Sequence, residues 1–336
     1  MPAPPDQIRL KCAARGWQSL AKTLNGVAPP CLNLAPERCD EKCIRSLYWR
    51  ANGLEQDSMT DQGIDTIALP QVERIIAVGS GKGGVGKSTV ASNLAAALAA
   101  LGAKSGLLDA DIYGPSVGRL LGVPAGTKPD VIDGKLQPMV ARGLATMSMS
   151  YLGNERTPAI WRGPMASGAL QQMLTQTHWP TLDVLVIDMP PGTGDIQLTL
   201  AQRVRLDGAL IVTTPQDLSL LDARKGIEMF RKVEVPILGI VENMSTHVCS
   251  ACGHEEALFG SKGGASIAAE YGVELLAELP LEMGVRESAD QGVPLVQSGG
   301  QSHHAERYLA LARQVLDRLH ERSDDARFPE IEIVDD

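Results

Sequence analysis

Large aromatic side chains are scarce in this chain of 336 residues: Phe, Trp and Tyr make up 4% of it, while apolar residues as a whole reach 44%. An interior short of rings must be filled by Ala, Val, Leu, Ile and Gly, which suits helices packed closely on a sheet. No apolar run approaches the roughly 18 residues of a membrane span, and the N-terminus has no signal-peptide apolar stretch. Lys and Arg slightly outnumber acids over the first 25 residues, yet MPAPPDQ is not convincingly amphipathic, so no organelle leader is expected. Positive charge is not in excess: the formal net charge is −9, which argues against coating nucleic acid or an anionic membrane. The expectation is a cytoplasmic protein with neither nucleic acid nor membrane as partner. Cysteine is sparse, six in all, and without a secretory signal these read as thiols or metal ligands rather than a disulfide framework. Repeats and low-complexity segments are also missing.

Residues 1–70 carry Pro, Gly and scattered charge without sustained periodicity, and read as a small or partly disordered appendage. From Arg74 the character changes. RIIAV (74–78), SGLLDAD (105–111), LDVLVID (182–188), GALIVTT (208–214) and VPILGIV (235–241) are short apolar runs that read as buried strands. Helical stretches separate them; over 87–101, Val90, Leu94, Ala97, Leu98 and Leu101 recur at helical spacing. This alternation predicts an α/β fold over 71–322, a mainly parallel sheet with helices on both faces. A last helix, about 302–322, puts Tyr308, Ala312, Val315 and Leu319 on one stripe that packs on the domain, since no Trp or Phe lies there to enter a membrane. Residues 323–336 form an acidic tail.

The strand ending at Val78 runs into GSGKGGVGKSTV, where Gly81 to Ser88 satisfies G-x-x-x-x-G-K-[ST] ahead of a helix. Strand, glycine loop, lysine, hydroxyl and helix together specify a phosphate-binding P-loop. Through Gly81, Gly83, Gly84, Val85 and Gly86, backbone N–H groups wrap the phosphates, and the helix N-terminus adds a favourable dipole. Lys87 reaches the β and γ oxygens, Ser88 offers its hydroxyl to Mg²⁺, and Thr89 closes the nucleotide-binding stretch. Asp109 and Asp111 in LLDADIYGPS, and Asp188 in VLVIDMPPGTGD, stand at the carboxyl ends of buried strands, where open α/β sheets bind ligands. Asp188 receives the role of holding Mg²⁺ through water. Asp109 either joins the site or supports its loop, and Asp195 reads as a cap for the helix after PPGTG.

A second lysine, Lys82, sits inside the loop, where an ordinary P-loop needs none. It is either a solvated surface charge or a further functional group. In this feature the chain resembles the deviant Walker A ATPases, whose extra lysine reaches phosphates bound by the partner across a face-to-face dimer. The resemblance implies that Lys82 neutralises γ-phosphoryl charge in the manner of an arginine finger. It implies that Asp111 orients the attacking water, against the plainer reading of a helix cap. It also makes Asn243 of IVENMS the adenine reader, with Pro215, Gln216 and Asp217 of TTPQDLSLLDARKG lining the pocket.

Cys249 and Cys252 in HVCSACGHEE lie three apart, and two thiolates are half of a tetrahedral metal site. Spacing alone leaves both zinc, with His254 as an extra ligand, and iron–sulfur open. Together, the P-loop segment, LLDADIYGPS, WRGPMASGAL, DMPPGTGDIQLTLAQ, TTPQDLSLLDARKGIEMFRKVEVPILGIVENMS and CSACGHEE resemble the Mrp-type iron–sulfur cluster carrier ATPases, from about Arg74 to about Val296. That resemblance implies a cytosolic homodimer that hydrolyses ATP slowly and holds a [4Fe–4S] cluster on Cys249 and Cys252 at the dimer interface. It implies exchange with a cluster assembly scaffold and transfer to apoprotein clients. ATP, Mg²⁺ and the cluster are therefore the expected ligands. One chain supplies two of four thiolates and Lys82 separately asks for a second copy, so two features converge on a dimer.

The ends depart from the family. Residues 1–70 do not show the pattern of the small α/β domain that precedes the ATPase in many bacterial relatives. Cys12, Cys31, Cys39 and Cys43 lack the tight C-x-x-C of an N-terminal cluster site and read as free thiols. The competing reading is a deviant Walker A positioning ATPase, of the DNA-partition or septum-placement type, with a structural zinc or thiol pair. The acidic tail and net charge disfavour it. A reductase like the nitrogenase iron protein would draw single cysteines from two loops, not a pair from one.

Overall fold

The apolar runs of the sequence become the middle strands of one sheet. The computed structural model describes residues 66–152, 163–249, 251–298 and 303–325. Cys12, Cys31, Cys39 and Cys43, nearly all of 1–70, Trp161 and Arg162 of the WRGP motif, and the tail beyond 325 lie outside the described residues. Ile67, buried with Leu69, bridges Val204, so the packed unit reaches back before the first strand.

In chain order the elements are β1 (Val72–Gly79), α1 (Lys87–Ala100), β2 (Ser105–Asp109) and α2 (Val117–Leu120). Then come β3 (Val131–Ile132), β4 (Lys135–Leu136), β5 (Met139–Ala141), β6 (Leu144–Ser148), α3 (Met149–Leu152) and α4 (Gly163–Thr175). β7 (Leu182–Asp188), α5 (Asp195–Arg203), β8 (Gly208–Thr213), α6 (Asp217–Lys232) and β9 (Ile237–Val248) follow. The described chain ends with β10 (Glu255–Glu256), α7 (Gly263–Tyr271), β11 (Leu275–Leu281), α8 (Met283–Gln291) and α9 (His303–Asp325).

The sheet order is β10-β9-β8-β1-β7-β2-β6-β5, with β11 also on β9, and β3–β4 is a separate hairpin. The central pairs are all parallel, as the helical crossovers require. Antiparallel pairing enters only at the margins, β5 on β6 and β10 on β9. At the first margin the cause is local: Arg142 and Gly143 both have positive φ, +53° and +78°, the signature of a two-residue hairpin turn.

An apolar layer covers each face. On one, Leu170, Met173, Phe230 and Ile267 of α4, α6 and α7 join the sheet's side chains. On the other, Leu94 and Leu98 of α1 meet Leu311 and Val315 of α9. Each such leucine, removed from water, contributes roughly 1.5–3 kcal/mol. Helix α1 is buried continuously from Val90 to Leu98 rather than along a single stripe. It lies between sheet and α9, and its alanines permit the close approach. Tyr308, Ala312, Val315 and Leu319 of α9 are all buried, as the stripe predicted.

Candidate functional site

Placing β1 between β7 and β8 puts the loop 80–86 at the centre of the sheet's carboxyl edge. Gly84 and Gly86 have φ of +82° and +83°, the left-handed backbone that lets the loop turn back over the start of α1. Gly81 is needed for a different reason: a Cβ there would lie 2.0 Å from the carbonyl oxygen of Asp222 in α6. Ser80 Oγ donates to the Lys82 carbonyl at 2.9 Å. The Lys82 side chain is half-buried, and its ammonium has no hydrogen-bond or ion-pair partner among the described residues. Behind Thr89, whose carbonyl accepts from Asn93 Nδ2 at 2.9 Å, Asn93 Oδ1 accepts from Leu295 N at 2.8 Å and pins the start of the helix.

Lys87 is almost wholly buried and points into a nest of acids. Its Nζ donates to Asp188 Oδ1 at 2.5 Å and to Ser88 Oγ at 3.3 Å, and stands 3.8 Å from Asp111 Oδ2. Burial raises the Asp188 pKa, and Lys87 works against that rise. Asp188 Oδ2 is buried with no hydrogen-bond partner among the described residues, an arrangement that ordinarily costs about 1–3 kcal/mol. An orphaned carboxylate oxygen near the Ser88 hydroxyl fits a hard cation, so these residues suit Mg²⁺.

The two acids of LLDAD do different things. Asp109 is fully buried and accepts from Asp111 N on Oδ1 (3.1 Å), and from Ser116 N (2.9 Å), Val117 N (3.1 Å) and Ser148 Oγ (3.0 Å) on Oδ2. Burial first, and then the Asp188 carboxylate, push its pKa up to about 7. It is Asp109, not Asp111, that meets the first N–H groups of α2. Among the described residues, Asp111 accepts only from Gly114 N within its own loop, at 3.2 Å, and turns Oδ2 toward Lys87. Asp195 is the first residue of α5, whose cap position is Gly194 with no side-chain cap, so it supplies charge rather than a capping bond. Ser148 was not singled out from sequence; the available signal was the short apolar run LATMS ending at the same edge.

The residues expected at the base fall into two places. Asn243, on β9, donates from Nδ2 to the Val85 carbonyl at 2.8 Å, and a Cβ on Gly86 would come within 2.2 Å of that nitrogen. Pro215 and Asp217 instead line a neighbouring cleft of about 590 Å³, with Leu221, Phe259 and Lys262 on its other walls. Gln216, between them, accepts from Thr214 Oγ1 at 3.2 Å.

Strand β9 continues into a two-stranded arm, pairing His247 and Val248 with Glu256 and Glu255. The turn at its tip carries both cysteines. Cys249 N donates to the His254 carbonyl at 2.9 Å, and Gly253 N, with φ +72° at that residue, to the Cys249 carbonyl at 2.8 Å. The backbone N–H groups of Ala251 and Cys252 beside the Cys249 sulfur lower its pKa, which favours the ligand form. Both cysteines are free; Cys249 is half-exposed and Cys252 exposed. The His254 side chain is exposed, and among the described residues no three His, Cys, Asp or Glu side chains converge as a metal site.

A glycine loop after a central parallel strand, with its inner lysine set among strand-end carboxylates, defines a P-loop nucleoside triphosphatase. A family model described as ParA, the NUBPL iron-transfer P-loop NTPase, matches residues 71–316, and the chain belongs to that family. An iron–sulfur cluster carrier protein of Pseudomonas fragi is 60% identical over 245 residues, 73% of this chain and 85% of the relative. One from Escherichia coli K12 is 56% identical over 311 residues, 90% of this chain and 83% of the relative, so that match extends beyond 71–316. Among solved structures, a nucleotide-binding protein of Archaeoglobus fulgidus in complex with ADP superposes with a TM-score of 0.59 at 36% identity, covering 70% of this chain and 95% of the other.

Proposed function

We propose that the chain hydrolyses ATP as a cytoplasmic homodimer, carries a [4Fe–4S] cluster between Cys249 and Cys252 of its two copies, and passes it from an assembly scaffold to apoprotein clients. The observation that carries this reading is the cysteine turn: two free thiols at the tip of a two-stranded arm, in a turn closed by the bonds of Cys249 N to the His254 carbonyl and of Gly253 N to the Cys249 carbonyl. Thiolates suit iron, a [4Fe–4S] cluster takes four, and a twofold axis through the arm supplies the second pair. The names of the relatives support the choice of cargo. A positioning ATPase would share the loop and leave the thiols only a structural role.

At the nucleotide, Lys87 leaves Asp188 for the β and γ phosphate oxygens as the triphosphate enters. Ser88 and Asp188 would hold Mg²⁺, which would supply neutralisation of phosphate charge. Asp111 accepts a hydrogen bond from the attacking water, and Lys82 of the second copy stabilises charge on the transferred phosphoryl group. Asn243 keeps Nδ2 on the Val85 carbonyl and offers Oδ1 to the adenine amino group, while Pro215, Gln216 and Asp217 flank the base. Nucleotide binding tightens the dimer and changes the spacing of the four thiolates.

Anaerobic reconstitution with iron and sulfide tests the reading. Wild-type protein takes up colour and runs at twice the monomer mass; a Cys249→Ser/Cys252→Ser variant with the same visible spectrum as wild type overturns it.

A further inference from the structure

We infer that Asp109 is the positioning residue for hydrolysis, fixing where Asp111 stands by joining its backbone to α2 and to β6. The inference rests on the ATPase reading above but concerns a residue whose carboxylate is bonded to donors of the protein itself. Its two oxygens are divided. Oδ1 takes one donor, the N–H of Asp111 itself; Oδ2 takes three, Ser116 N, Val117 N and Ser148 Oγ. The loop between β2 and α2 is thus tied down at its first turn and at its end by one side chain.

The anchor is itself held. Asp109 pairs in register with Asp188 on β7 and with Ser148 on β6, at the carboxyl edge of the sheet. Ser148 Oγ also exchanges a hydrogen bond with Ser150 Oγ at 2.8 Å and accepts from Ser150 N at 3.1 Å, so β6 and the following turn brace the carboxylate from the far side. Tyr151, in the same turn, shares a hydrogen bond with Thr146 at 3.1 Å and packs within 2.8 Å of where a Cβ on Gly118 would stand. Among the described residues, Asp111 has only Gly114 N and Lys87 to orient its own carboxylate, and on the proposed reading Lys87 departs when phosphate binds. Its position then depends on its backbone, and its backbone depends on Asp109.

The chemistry of the anchor makes a sharp test. All four of its partners are donors, so two acceptor oxygens are required. Asparagine preserves the shape but offers one. With that oxygen on the three-donor side, its NH₂ group confronts the Asp111 N–H and pushes the loop away from the γ-phosphate. A displacement of about 1 Å in a catalytic group costs on the order of 100-fold in rate.

The experiment compares steady-state hydrolysis with binding of a fluorescent ATP analogue for wild type, Asp109→Asn and Ser148→Ala. The expected result is a kcat lowered roughly 10- to 100-fold in Asp109→Asn with the analogue's Kd within about twofold of wild type. Ser148→Ala, which keeps the Oδ1 bond to Asp111, shows a smaller loss of kcat in the same direction. An unchanged kcat in Asp109→Asn, or a loss that appears in Kd and not in kcat, overturns the inference. If Asp109→Asn does not fold, Ser148→Ala decides by the same split between kcat and Kd. A wild-type protein that neither binds nor hydrolyses ATP sinks the ATPase reading itself, which is a different result from an active wild type matched by its variants.

Discussion

Around Lys87 the acids are buried and bonded into the fold, whereas at the tip of β9 two thiols stand near or at the surface on a hairpin only two residue pairs long. The first region assembles its geometry from five strands and pays the cost of burying charge within one chain. The second exposes its reactive atoms and commits little to them beyond two backbone N–H groups. That contrast suits the proposed function, in which the first site grips a nucleotide through a reaction and the second gives its cargo away.

If that division is real, each half fails separately. Replacing Cys249 and Cys252 by serine has the largest expected effect: complete loss of cluster colour after reconstitution, with the ATP-analogue Kd changed by less than about twofold. Lys87→Ala does the reverse, lowering hydrolysis by on the order of 1,000-fold while cluster uptake persists, measured as iron and sulfide per chain. Loss of both functions in either variant would break the comparison. Lys82→Ala probes whether the phosphate site is also shared between copies: hydrolysis falls on the order of 100-fold with nucleotide binding retained, and an unchanged rate would make that half complete in one chain. Gly81→Ala forces a Cβ against the Asp222 carbonyl and destabilises the fold by roughly 1–3 kcal/mol, read as a lower Tm with the cluster spectrum intact. The smallest effect is in the arm. Because backbone N–H groups lower the Cys249 pKa, its thiolate is present at lower pH, and its alkylation by iodoacetamide has a midpoint below the ~8.5 of a free cysteine.

The strands that carry the phosphate site were legible because a strand covered on both faces is a continuous apolar run, as in LDVLVID and GALIVTT. Strands β3, β4, β5 and β10 span only two or three residues each, too short for any periodicity, and β11 is broken by Glu278 and Pro280. In the site, the P-loop and the C-x-x-C could be read because their chemistry lies within consecutive residues. Asp109 could be read only as an acid at the right edge. Its role depends on Ser148, 39 residues away, through a pairing of β2 with β6 that no local pattern announces. The Asn243 contact with Val85 spans 158 residues and is likewise a product of strand order.

Strand β9 touches the phosphate loop through Asn243 and carries a thiol at Cys249, six residues on. At about 3.3 Å per residue that is roughly 20 Å, well over the Debye length of about 8 Å at physiological salt. On the proposed reading, direct charge–charge coupling between a chain's thiolates and its own γ-phosphate would be weak at that distance. On that reading, coupling between the two would run as mechanics along this strand, past Met244, whose left-handed backbone (φ +58°) falls where the register of β9 against β11 shifts.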